Sequence, residues 1–582
     1  MSKNRVLSLL CLPLLALQLF GADGPSSTPA ADSTSASSPP AMNSVSTPTV
    51  DDLQKLREQI AKQQEEIKRL QQSVEAQQKA LDKAVSALAA ASSPTTTASA
   101  GAIAPVKTVN TANAGNVQPE IVPAVNNGWH LGGQKNEAAP ASPLGISIGN
   151  TTFTPLGFVD ATFFARSTNV GSGIGTNFLG IPNNSATAGR LSETNFSAQN
   201  SRIGIRVDST VLGAKVLGYL ESDFLFNNNA TSFQVTSNSA GLRLRVYFVD
   251  VQKDGFEILG GQDWSMLTPN RVGLSPLPSD IFYSQNEDTN YQLGLTWTRQ
   301  PQFRFIGHPS DNFAIGVSLE NPQQYIGGGN GSSAAALPAN LSSTFAQQFN
   351  NGSNSNSTTV PNLFPDIIAK AAYDGHAGDK IEHIEVAGLV SGFQDYVPTS
   401  VTTAIPGKHT AVGFGGSLNF NLELVKNFHL ISNNFYSDGG GRYIFAEAPD
   451  FVVRPNGGIS PVHADSTVDG FEAQVTPKTM LAMYYGGIYA GKDVIFDNTA
   501  SGSTLAKPTY VGYGYPGSSS YRDGQEITFD WVQTLWKNRN YGALSLINQY
   551  SYVMKEPWII PTLGPKQAHS NLVYVDLRYT LP

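Results

Sequence analysis

Residues 241–250 read Gly-Leu-Arg-Leu-Arg-Val-Tyr-Phe-Val-Asp, GLRLRVYFVD. Neighbouring side chains of a strand point to opposite faces. As a strand, this stretch puts Leu242, Leu244, Val246 and Phe248 on one face and Arg243, Arg245 and Tyr247 on the other. One face asks for an apolar neighbour, the other for water or an anion. The split recurs at 201–208, where Ile203, Ile205 and Val207 alternate with Arg202, Arg206 and Asp208. In the last strand, Val573, Val575, Leu577, Tyr579 and Leu581 alternate with Tyr574, Asp576 and Arg578. The wall of a closed barrel in a bilayer offers both surroundings, lipid outside and a water-filled lumen inside.

Period-two alternation and turn residues predict sixteen strands, at about 156–165, 200–209, 214–226, 241–252, 255–263, 291–306, 312–320, 364–374, 380–393, 409–424, 428–436, 468–476, 479–490, 522–536, 541–555 and 568–581. The connections alternate in length. Short ones such as 210–213, Lys253-Asp254-Gly255 and Thr476-Pro477-Lys478 interleave with long ones such as 166–199, 264–290, 321–363 and 437–467. Asp254-Gly255 carries a hairpin-turn signature. Short turns at one end and long loops at the other are the pattern of an outer-membrane barrel, and an even strand count puts both chain ends in the periplasm. Adjacent aromatics, Phe163-Phe164 and Tyr484-Tyr485, together with Trp531 and Trp536, suit the girdles at the two membrane interfaces.

Composition agrees. Charged residues are 14% of 582, well under the about 25% of a typical soluble protein, while Gly (55), Phe (29) and Tyr (21) are abundant. A formal net charge of −8 with no basic run argues against nucleic acid as a partner. The expected class is all-β: a 16-stranded antiparallel transmembrane β-barrel over 151–582, preceded by an N-terminal periplasmic coiled-coil helix.

The segments before the barrel differ in kind. Lys3 and Arg5 precede the apolar run Val6–Phe20, and 1–22 reads as a secretory signal peptide carrying the only cysteine, Cys11. Residues 23–50, rich in Ser, Thr, Pro and Ala, read as a disordered linker. Within 51–90, Leu53, Ile60, Ile67, Val74, Leu81 and Leu88 recur every seven residues, with Leu56, Gln63, Leu70, Gln77 and Ala84 three further on: a heptad seam and a coiled coil. Residues 91–150 read as a flexible linker.

Inward arginines are the candidate functional residues: Arg202, Arg206, Arg243, Arg245 and Arg304. A guanidinium stays charged and presents a fork matched to carboxylate or phosphate, and such side chains line anion pores. The competing expectation is that they pair with Asp208, Glu221 and Asp223 and brace the wall. The connection 264–290, stiffened by Pro269, Pro276 and Pro278, either folds inward to narrow the pore or stays outside. The motifs of common hydrolases, phosphate-binding loops and cysteine metal sites are missing, so no catalytic residue, metal or cofactor is expected. His383, beside Glu382 and Glu385, is expected to be a hydrogen-bonded wall residue.

Gly261-Gln262-Asp263-Trp264-Ser265 resembles the segment leading into the constriction loop of sixteen-stranded trimeric porins of the phosphate-selective porin O/P class, in particular their DcaP-like branch. Arg299-Gln300-x-Gln302-x-Arg304 is similar to the strand after that loop, and the order signal peptide, coiled coil, linker, barrel is shared. The resemblance implies a homotrimer in the outer membrane, passive uptake of small anionic solutes such as dicarboxylates, and a filter to which Arg271 is added. Two departures stand out. The chain ends Tyr579-Thr580-Leu581-Pro582 rather than in an aromatic, and the lysine ladder of phosphate pores is absent. The alternatives are a non-selective or sugar-type porin, and a barrel whose coiled coil tethers the outer membrane to peptidoglycan.

Overall fold

The computed structural model describes residues 142–226, 240–274, 276–277, 291–329, 332–351, 360–499, 509–560 and 567–582, and the single residue Lys68. The signal-peptide and first-linker assignments, and the coiled coil but for Lys68, lie outside the described residues. Of the linker expected at 91–150, residues 142–150 are described, and they are not all linker, since Ile146–Ile148 is a strand paired with Thr151–Phe153. The chain divides into two units, Met1–Ala114 and Gly115–Pro582, and every described strand belongs to the second.

Sixteen antiparallel strands span this unit: β1 Thr151–Arg166, β2 Arg202–Val211, β3 Ala214–Phe226, β4 Gly241–Lys253, β5 Phe256–Trp264, β6 Arg299–Ser310, β7 Phe313–Glu320, β8 Asp366–Ala377, β9 Lys380–Val397, β10 Gly407–Val425, β11 Phe428–Asp438, β12 His463–Thr476, β13 Thr479–Ala490, β14 Tyr521–Asn538, β15 Gly542–Pro557 and β16 Ala568–Thr580. Each pairs with the next, and β1 pairs with β16 from Phe158↔Thr580 to Arg166↔Leu572, closing the sheet into a barrel. Two short strands complete the seam. Glu193–Ser197 continues the line of β2 beside the far half of β1, and Ile146–Ile148 covers the near half of β1 where β16 has ended. Closure matters because an unpaired edge in lipid costs several kcal/mol per backbone group.

The short connections are tight turns. Leu212-Gly213 and Asp254-Gly255 have both central residues at positive φ, the turn whose twist matches the strands it joins. Facing is inverted relative to a soluble protein. Ile203, Leu220, Leu244, Ile258, Phe303, Val317, Val386, Leu418, Phe529 and Leu577 are exposed on the outside, while Asp, Glu, Arg, Asn and Ser crowd the inside. No helix among the described residues is long and apolar enough to cross a membrane; the strands carry the apolar belt instead.

Three expectations need correction. The stretch that suggested the fold does not keep one phase. Arg243 and Arg245 face inward as expected, and Leu242 is 56% exposed on the outside. A register shift between Glu221 and Ser222 of β3 then leaves Arg245 as an extra residue. This β-bulge flips the alternation: Val246 and Phe248 are 0% and 4% exposed inside, while Tyr247 and Val249 face out. The expected strand 291–306 begins only at Arg299, because 291–298 turns into the lumen. Each adjacent aromatic pair supplies one girdle residue at most, since neighbours on a strand face opposite ways. Phe164 and Tyr484 are buried in the lumen, whereas Trp531 and Trp536 are exposed outside.

Candidate functional site

The connection between β5 and β6 folds inward. Its neck is a continuation of the sheet: Trp264 pairs with Arg299, and Ser265 N–H donates to Thr298 O at 2.8 Å. Trp264 and Trp297 pack across that neck with ring centroids 3.8 Å apart and planes tilted by 32°. Gly261, in the motif leading into the loop, has φ +146°, and a Cβ there would lie 2.4 Å from Tyr247 O, so only glycine fits.

Beyond the neck the loop is tied to the wall at both described ends. Glu320 of β7 accepts from Met266 N–H (2.9 Å) and Ser265 Oγ (3.1 Å). Lys370 of β8, fully buried, donates to Thr268 O (2.9 Å) and Asn270 Oδ1 (3.0 Å) while pairing with Glu385 of β9 at 2.7 Å. Glu385 also accepts Asn270 N–H at 3.1 Å, and the imidazole of His383 bridges Asp374 and Glu385. His383 is therefore the wall residue expected of it. On the far wall, Arg271 makes two contacts with Glu472 of β12, Nη1–Oε2 at 2.8 Å and Nη2–Oε1 at 2.6 Å. On the return limb, Leu293 N–H donates to Glu526 of β14 (3.0 Å) and Thr296 N–H to Asn433 of β11 (3.1 Å). Gly294 sits against the wall with φ +90°, where a Cβ would meet Thr467 O at 2.4 Å.

The loop thus spans from the β7–β9 side to the β11–β14 side and narrows the lumen. Other loop segments join it. Ile174, Phe178 and Leu179, together with Tyr443 and Ile444, pack with Leu267, Leu293 and Leu295 in one apolar cluster inside the barrel. Arg442 anchors its segment through Asp366 and lies against the Tyr443 ring. Between Pro269–Arg271 and the Asn419, Asn421 and Asn433 wall lies a small recess.

The structure brings five of the six sequence-predicted arginines onto one wall and puts the sixth, Arg271, across the lumen. Arg202 of β2, Asp223 of β3 and Arg243 of β4 stand in one cross-strand row. Arg243 grips Asp223 at 2.9 and 2.6 Å; Arg245 bridges Glu221 (2.9 Å) and Asp223 (2.6 Å); Arg202 lies 3.8 Å from Glu221. Arg206 pairs with Asp208 at 2.7 Å, and Arg304 with Asp263 at 3.2 Å and the Trp264 carbonyl at 2.8 Å. Every one of the six has a carboxylate partner. The interior as a whole is acid-rich, with nineteen Asp or Glu but only eight Arg or Lys side chains buried among the described residues, so the arginines do not sum to a positive wall. Beside them Leu217, Tyr219, Val246, Phe248 and Leu259 form an apolar plate packed with Trp264.

Sequence reading missed Glu472, Lys370, Glu526 and Arg442. Each lies on an inward phase or in a long loop, but no motif marks it, and the contacts that tie loop to wall, Arg271–Glu472, Leu293–Glu526 and Asp366–Arg442, join residues 76 or more apart.

No family model matches the chain, and no curated protein matches it. Among solved structures, the outer membrane channel DcaP of Acinetobacter baumannii is similar at 16% identity and TM-score 0.50, covering 75% of this chain and 98% of that one. An anion-selective porin from Comamonas acidovorans is similar at 13% identity and TM-score 0.41, covering 74% and 99%. OprB of Pseudomonas putida is similar at 11% and 0.40, covering 73% and 94%. At these identities the first likeness concerns the fold alone, a closed 16-stranded antiparallel barrel.

Proposed function

We propose that this chain is an outer-membrane porin through which small hydrophilic solutes diffuse passively, with weak selection by charge. The observation that carries the reading is the loop held across the lumen by Arg271–Glu472, with the return limb fixed at Glu526 and Asn433. A closed barrel needs no such polar crosspiece as a mere anchor, whereas a sieve does. The short turns and both ends of the barrel lie in the periplasm and the long loops outside. Residues 1–22 direct export, 51–90 form a periplasmic coiled coil that assembles a homotrimer and contacts peptidoglycan, and outer-membrane lipid surrounds the apolar belt.

Weak selection follows from the pairing. A guanidinium that already shares its charge with a carboxylate at hydrogen-bond distance presents little net field to a passing ion. A preference for small anions such as dicarboxylates is the second reading. It is favoured by one observation: three guanidiniums, Arg202, Arg243 and Arg245, meet two carboxylates, Glu221 and Asp223. The reversal potential of the purified protein in a planar bilayer under a KCl gradient separates the two. A value near zero, unmoved by Arg243→Ala with Arg245→Ala, supports weak selection. A clear chloride preference erased by those changes establishes the anion filter, and absence of any conductance from inserted protein refutes the porin.

A further inference from the structure

Asp530 of β14 has no hydrogen-bond or ion-pair partner among the described residues. It is 4% exposed, and neither carboxylate oxygen has a hydrogen bond. Among the described residues, the groups that act on it electrostatically are two further carboxylates, Glu526 and Glu472, and no basic side chain. Burying an unpaired carboxylate is costly, and two like charges nearby add to the cost. Such a group has to be met by a proton or by a cation.

The cross-strand register gives its neighbours on the wall. Glu472, Ala482, Asp530 and Gln549 stand in one row across β12, β13, β14 and β15. With neighbouring strands about 4.8 Å apart, the Glu472 and Asp530 backbones are about 10 Å apart. The side chain between them is only the methyl of Ala482, itself 7% exposed in the apolar cluster, and it offers neither carboxylate a donor. Glu472 is committed to Arg271 and to the Tyr484 hydroxyl (2.8 Å), and Glu526 to Leu293 N–H and the Thr528 hydroxyl (3.1 Å). Asp530 alone is uncommitted, and it stands on the wall to which both limbs of the inward loop are tied.

We propose that Asp530 is a contact point for a cationic group, an ammonium carried by a permeating solute, with Glu526 and Glu472 supplying the attracting field. The inference rests on the porin reading and gives it a solute class: amines and zwitterions that carry one. An ammonium brings three donors and a full charge, which is what an unpartnered carboxylate flanked by two others lacks.

The probe is 1,4-diaminobutane, with 1,4-butanediol as the neutral control of the same length. Purified full-length protein is tested in planar bilayers for current block, and in detergent by titration calorimetry. The expected result is concentration-dependent block and binding by the diamine and not by the diol. Asp530→Asn weakens both about tenfold or more, the loss of a charge-assisted contact, and Asp530→Glu restores part of the effect. Diamine binding that Asp530→Asn leaves unchanged, or no diamine binding to the unaltered protein, overturns the subsite and marks Asp530 as a protonated wall residue. Calorimetry reads this even if inserted protein passes no current, an outcome that would sink the porin instead. Heat-dependent gel mobility confirms that each variant has folded.

Discussion

Arg271→Ala should loosen the inward loop by removing its tie to the far wall. Two short N–H···O contacts, 2.8 and 2.6 Å, join Arg271 to Glu472, whose side chain is only 5% exposed against 19% for the arginine. The change strands a buried carboxylate that keeps the Tyr484 hydroxyl as a donor. Breaking a fully buried pair costs about 3–5 kcal/mol; the partial exposure of Arg271 and the retained donor lower this to about 2–3 kcal/mol. Glu472→Gln keeps the shape, removes the charge and should cost about 1–2 kcal/mol. With both changes no charge is stranded, so the double variant should cost about 1–2 kcal/mol less than the sum of the singles. The assay is urea unfolding in detergent micelles at matched protein concentration, with single-channel conductance recorded in parallel and expected to rise in Arg271→Ala. Effects that add within about 0.5 kcal/mol would refute the coupling, and an unaltered conductance would refute the claim that this tie sets the width of the lumen.

Other outcomes rest on the same geometry. Val249→Arg should impair folding into bilayers by about 2–4 kcal/mol, because the bulge at Arg245 turns Val249 toward lipid; a benign result would mean that β4 keeps a single phase. Gly294→Ala should cost about 1–3 kcal/mol and raise conductance, since φ +90° and the Thr467 and Gly487 carbonyls leave no place for a methyl. Unchanged urea stability and conductance would put 291–298 away from the wall. Deleting 51–90 should lower the oligomer's resistance to heat in detergent while single-channel conductance persists; an oligomer of undiminished stability would remove the coiled coil from assembly.

Much of the barrel was legible because each strand carries its own record of two environments. The limits 214–226 and 479–490 agree with the structure to the residue, since Gly213 and Pro477-Lys478 punctuate the alternation sharply. The bulge was not legible: no glycine or proline marks it, and it exists only in the pairing of β4 with β3. Residues 291–298 alternate as faithfully as a strand, yet form the return limb of the loop. An apolar cluster inside the barrel gives Leu293, Leu295 and Trp297 the same burial a sheet would have, so the pattern cannot tell the two apart. The candidate site was half legible. Inward phase located five arginines, but their carboxylate partners depend on register, and Glu472 is 201 residues from Arg271.

The seam beside β1 has a mechanical consequence. Ile146–Ile148 forms three backbone pairs with β1, and Ser142 Oγ donates to the carbonyl of Pro582 at 2.8 Å. Tension from the chain before Ile146, directed along the strand axis, loads these contacts together in shear. Tension across the axis would unzip them one at a time, at far lower force. The barrel therefore resists pulling by its leader segment according to direction, and the first part to yield under a sideways load is this short strand, with β1–β16 still shut behind it.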